Sequence, residues 1–290
     1  MNTPKEIYSR LLKLFPVQSL KDFYTISGSQ IDLVQHVSSR NTIDNMNTFL
    51  NSHLTLTKQH IFVYSHSNRN YSRVNSNVFS DCATVIGESN SVNKKTFSLL
   101  FDVEFQLSVT GQIEEVSIKY KWPVRVTITP TNVIIHVTIF ERNPAASEFP
   151  DNRKVFVIER SITEDEIVSK IMESLNRFSA LESCDINNGV KHLWAIDVID
   201  ARFAEYKKAN SISSETMDAA FTIKAHERAL YEQIILTPLR EIVFEFMGTH
   251  KNENIRYITI DPSLGKINVS IYPDDVNQID NIIERILQNN

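Results

Sequence analysis

Glycine is scarce in this chain, with six among 290 residues. There is no GxGxxG and no GxxxxGK[ST] run. The backbone therefore lacks the close-approach loops that cradle phosphates in dinucleotide-binding and P-loop proteins. Cysteine is scarcer still. Cys82 and Cys184 lie far apart in sequence, which excludes a disulfide framework and a cysteine zinc site. No apolar run approaches the roughly eighteen residues that a spanning helix needs. The opening stretch MNTPKEIYSRLLKLF carries charges where a signal peptide has its apolar core. These absences lead to the expectation of a soluble cytoplasmic protein with no membrane partner. Internal repeats and low-complexity blocks are also missing. The net charge is −5, so any affinity for nucleic acid has to come from a local basic patch.

What the chain does have is a long run of two-residue alternation, Phe97 to Glu141. Phe97, Leu99, Phe101, Val103, Phe105, Leu107 and Val109 fall on one face; Ser98, Leu100, Asp102, Glu104, Gln106 and Ser108 fall on the other. Period two over this length is the pattern of a strand with one buried face. After the Thr110-Gly111-Gln112 turn, a second strand runs from about Ile113 to Trp122. Pro123 marks a strand start, an edge or a bulge. Val124, Val126 and Ile128 continue the alternation, and a last strand from Val133 to Glu141 is apolar on both sides over part of its length. The expectation is an antiparallel meander of four strands, a platform.

The remaining chain reads as a mixture. Pro4 to Phe15 is a short amphipathic helix, and Thr42 caps a second one reaching Leu50. Leu20–Ile26 and Ile31–Val37, around Ser27-Gly28-Ser29, are candidate strands. His60–Ser65 is a strand, and Val78–Gly87 holds one or two more. The connection 142–154 is a candidate boundary. Thr163 and Glu166 form a capping box for a helix carrying Ile167, Ile171, Leu175 and Phe178. Ile196, Ile199, Phe203 and Tyr206 fit a helical face, and Ser213 or Ser214 caps a long helix to about Leu236. His226-Glu227 lacks the second histidine of a zinc-protease motif. His192, Asp197 and Asp200 fall short of a ligand set and suit caps and pairs. Strands at Ile255–Ile260 and Ile267–Ile271 precede a final helix whose stripe of Val276, Ile279, Ile282, Ile283, Ile286 and Leu287 covers them or seams a dimer. The fold class is α+β: a strand-rich domain at 1–150, and a helical domain at 151–290 ending in a small antiparallel sheet and a helix.

The platform's polar face is where a site can be named. Asp102, Glu104 and Gln106 stand on one strand, beside Lys119, Lys121 and Arg125 on its neighbours. Cross-strand charge pairing on a wet sheet is one reading. The other is a nuclease site. Asp102 and Glu104 would hold Mg²⁺, with Gln106 or Lys119 orienting a water. The Asp102-Val-Glu104-Phe-Gln106 run resembles the metal-site strand of restriction-endonuclease-like enzymes, where an acid precedes Glu-x-Lys or Glu-x-Gln. The resemblance implies a first acid on a separate, earlier strand. Asp81 is the candidate for it.

A second constellation lies in Ser65 to Asn77, which holds Arg69, Tyr71 and Arg73 and no acid. Folded over Lys119, Lys121 and Arg125, this loop would bring cations to phosphates and Tyr71 to a base. Three functions follow. One is a binding or assembly protein that holds a macromolecular partner on the platform, with a homo-oligomer among its forms. The others are a nucleic-acid-binding protein and a metal-dependent nuclease. No cofactor is implied except Mg²⁺ for the nuclease.

Overall fold

The computed structural model describes residues 2–68, 70–112, 114–140, 149, 154–218, 220–248 and 257–290. Arg69, Ile113, Glu141, Ile255 and most of the 142–154 connection lie outside them. The fold is mixed α+β, with helices and strands interspersed along the whole chain. The expected division into a strand-rich half and a helical half is corrected: the chain opens with four helices, and its second half is rich in strands. Two compact units form. One comprises 1–57, 67–131 and 137–181; the other comprises 58–66, 132–136 and 182–290.

In the first unit, helices α1 (Pro4–Leu12), α2 (Val17–Tyr24), α3 (Gln30–Arg40) and α4 (Ile43–His53) come first. Thr3 caps α1 in a capping box with Glu6, and Pro4 sits in its first turn. Thr42 caps α4 as the sequence suggests. The segments read as strands at 20–26 and 31–37 are instead α2 and α3. Ser29 accepts from the Asp32 N–H and starts a helix whose Leu33, Val34 and Val37 share one buried side. Leu11, Leu12, Phe15, Leu20, Val37, Phe49 and Leu50 close a core around these helices, and it takes in Leu100 from the platform.

The platform's strands are β2 (Thr84–Ser91), β3 (Lys94–Val109) and β4 (Val116–Ile128), in that order. The ladder between β3 and β4 runs without a break from Lys95↔Ile128 to Leu107↔Val116. Pro123 lies inside β4, opposite Leu100. The two strands expected on either side of it are therefore one, and the proline's missing N–H removes at most one ladder bond. On the apolar face Phe97, Leu99, Phe101, Val103, Phe105, Leu107 and Val109 are all buried. Phe79 meets Phe97 there at 5.2 Å, and Phe140 packs on Phe105, Tyr120 and Trp122. β5 (Asn132–Thr138) is buried from Val133 to Thr138, so both its faces are covered as its composition implies. β6 (Val155–Arg160) pairs with the far end of β3, with Ile158 bulged out of register. Helix α5 (Glu164–Asn176) keeps its capping box between Thr163 and Glu166. It stops before Phe178, which stays exposed.

The second unit builds its sheet in the order β5, β1 (Gln59–Ser65), β12 (Lys266–Val269), β11 (Ile258–Asp261), β10 (Leu239–Phe246), β8 (Ile199–Lys207), β9 (Ile212–Thr216). A two-residue strand, β7 (Glu182–Ser183), also joins β1. Helices α6 (Asn187–Ala195), α7 (Ile223–His226), α8 (Arg228–Ile234) and α9 (Gln278–Gln288) complete it. Residues 199–206, read as a helical face, form a strand. Its buried residues are Ile199, Asp200, Ala201, Ala204 and Tyr206. A register shift at Arg202 breaks the alternation and imitates helical spacing. The long helix expected from Ser213 to Leu236 is an edge strand followed by two short helices. The α9 stripe is spent on the unit's own core.

Candidate functional site

β3 and β4 present the candidate residues through simple alternation. Asp102 is paired with Lys121 at 2.7 Å, and its side chain is 78% exposed. Glu104 stands opposite Lys119 in the ladder, yet its carboxylate accepts from Ser117 Oγ and from Gln106 Nε2. The Glu104 N–H donates to Ser161 Oγ at 2.8 Å, and the Ser161 N–H returns a bond to Glu104 O at 2.9 Å. Gln106 thus spends a donor on Glu104. Lys119 is exposed, and its backbone is tied down: its N–H donates to Asn2 Oδ1 at 2.9 Å, and its carbonyl accepts from Arg10 at 2.8 Å. Arg10 is buried to make that bond. Arg125 faces the same way as Lys121, opposite Ser98, and Ser98 bonds Asn51 of α4 at 2.7 Å. Helix α4 therefore approaches one end of the polar face. Its closeness is recorded at Gly87, where a Cβ would fall 2.0 Å from Asn51 Oδ1.

Asp81 is not brought to this face. It follows Phe79, which is anchored on Phe97 on the apolar side. Beside Asp81, Cys82 contacts Ser174 of α5, and Thr84 then pairs with Leu100 of β3. Among the described residues no group of three or more His, Cys, Asp or Glu is placed to hold a metal. Asp102 and Glu104 alone offer two carboxylates, one held by an ammonium and the other by a hydroxyl and an amide. Next to Asp81, burial pushes the Cys82 thiol pKa up, opposed by a contact with Ser174. That is the direction of an unreactive thiol.

The basic loop also lies elsewhere. Val74 O accepts from Lys95 Nζ at 2.7 Å, and the Ser76 N–H donates to Glu88 at 3.2 Å. With Phe79 on Phe97, the segment 74–79 is held along β2, the start of β3 and the apolar side. Tyr71 and Arg73, in a 3-10 turn, precede it. Lys119, Lys121 and Arg125 project from the opposite face to the one along which Val74, Ser76 and Phe79 are held.

Sequence reasoning missed other groups. Ser161, Asn2 and Arg10 reach the polar face through contacts remote in sequence, and nothing local signals them. Phe156 and Ile158 of β6 are 58% and 52% exposed. In the second unit the cap role expected for Asp200 is met. Its carboxylate accepts from Trp194 Nε1 and from the N–H groups of Ala201, Lys224 and Ala225. Lys224 is its buried counterpart. Its ammonium donates to the Trp194 and Ala195 carbonyls at the end of α6 and pairs with Asp197 at 2.6 Å.

No protein-family model matches the chain, and no curated protein matches it. Among the described residues no helix is long and apolar enough to cross a membrane.

Proposed function

We propose that this chain is a binding or assembly protein that holds a macromolecular partner on its β-platform. The observation that carries the reading is the pair Phe156 and Ile158. Two large apolar side chains, each more than half exposed, stand on the strand that extends the platform beyond β3. Burying the half that each still exposes would gain roughly 1 kcal/mol apiece, and contiguous exposed apolar surface marks interaction sites. The bulge at Ile158 twists the strand and discourages indiscriminate edge pairing, so the recognition is read as side-chain packing more than strand addition.

Cross-linking tests this. A photoreactive amino acid in place of Phe156 is expected to give a discrete adduct in cells that make the protein. The same group in place of Asp102 is expected to give none. An adduct of twice the chain's mass makes the partner a second copy, and another mass makes it a different molecule. Failure to obtain a discrete adduct at position 156 overturns the reading.

A further inference from the structure

We propose a second binding surface, for single-stranded nucleic acid, at the end of the platform where the 70–77 segment meets the β2–β3 hairpin. It goes beyond the reading based on β6 and rests on different residues. The fold joins two nearby stretches that are alike in chemistry. One is Asn70-Tyr71-Ser72-Arg73-Val74-Asn75-Ser76-Asn77, and the other is Ser89-Asn90-Ser91-Val92-Asn93-Lys94-Lys95. Lys95 Nζ on Val74 O and the Ser76 N–H on Glu88 fasten them together.

The joined surface carries Arg73, Lys94 and Lys95. Glu88 is the acid within it, and its carboxylate is occupied by the Ser76 N–H and by Asn90 Nδ2. Asp81 lies outside, beside Cys82. Arg73 is exposed, and the hairpin tip projects far enough that Val92 is 94% exposed. Asparagine and serine fill most remaining positions, supplying neutral donors and acceptors suited to phosphate and base edges. The charge is complementary to a phosphate backbone, and the half-buried Tyr71 leaves part of its ring exposed for a base to stack on. A chain of net charge −5 would repel a polyanion over most of its surface; this acid-poor end is where a strand would approach.

Fluorescence anisotropy with a labelled single-stranded 20-mer is the test. Three cations on phosphates imply that affinity falls about 20-fold between 50 and 200 mM salt. R73A/K94A is expected to weaken binding at least tenfold and to reduce that salt effect to about threefold. Y71A is expected to cost about fivefold or more through lost stacking. K119A/K121A, on the opposite face, is expected to bind as the parent does. No binding at 20 mM salt overturns the proposal. So does loss of binding in K119A/K121A with R73A/K94A unaffected, and so does tighter binding of the matching duplex. None of these outcomes depends on cross-linking at Phe156, so the two proposals fail separately.

Discussion

Among the described residues lysine pairs with aspartate on the platform and again in the second unit, and the two places differ in what surrounds them. On the platform, Asp102 and Lys121 meet at the surface of a sheet, with the carboxylate side chain 78% exposed. In the second unit the buried Lys224 ammonium pairs with the exposed Asp197, and the buried Asp200 beside it takes the Lys224 N–H. There the carboxylate holds the first N–H groups of α7 and the ammonium holds the last carbonyls of α6. The surface pair joins two neighbouring strands that are already joined by a ladder. Asp200 and Lys224 together join two helix ends and a strand. Charge in this protein is structural where it is buried and replaceable where it is wet.

Substitutions can break that contrast. Asp200→Ala should have the largest effect, about 3–5 kcal/mol of stability, because it leaves the Trp194 Nε1–H and the N–H groups of Ala201, Lys224 and Ala225 without their acceptor. Urea unfolding measures it, and a loss below about 1 kcal/mol would place Asp200 with Asp102. Gly189→Ala is next. A Cβ there would sit 2.0 Å from the Ile286 carbonyl, where α6 crosses α9. Backbone has to move, at a cost of about 1–3 kcal/mol, read as a lower midpoint in the same experiment.

His53 gives a smaller effect, visible in pH. Burial lowers its pKa, against a bond to Phe49 O that raises it. Below its ordinary value of about 6.5 the folded state then binds fewer protons than the unfolded chain. Its contribution is complete above about pH 6.5 and is lost as pH falls through the lowered native value. His53→Gln should flatten the loss of stability between pH 7.5 and 5.5, and an unchanged loss would assign the acid sensitivity elsewhere. Asp102→Ala is the smallest, below about 1 kcal/mol and weaker still in high salt. A larger loss would mean that the platform's wet face is not replaceable after all.

Legibility in the sequence followed the distance over which each feature is determined. The alternation of β3 and the Thr163–Glu166 box are local, and both were readable. Asp102 beside Lys121 was readable too, because register follows from alternation once two strands pair. The strand at 199–207 was not. Its bulge at Arg202 replaces period two with spacings that a helix also produces. β9 carries a single large apolar residue, Ile212, and takes its form from pairing with β8. Ser161 on Glu104 and Arg10 on Lys119 are set by tertiary proximity. No window of sequence contains them.

The order of strands in the second unit has a consequence for the chain during its synthesis. Strand β1 ends at Ser65, and the strand that pairs along it, β12, begins at Lys266. About 200 residues separate them, which at roughly 5–20 residues per second takes a ribosome about 10–40 s. Through that interval Ile61 and Val63 belong to a sheet whose β12 side does not yet exist. A nascent strand of this kind is a target for chaperones and for premature pairing, so the speed of translation past residue 66 becomes a determinant of yield.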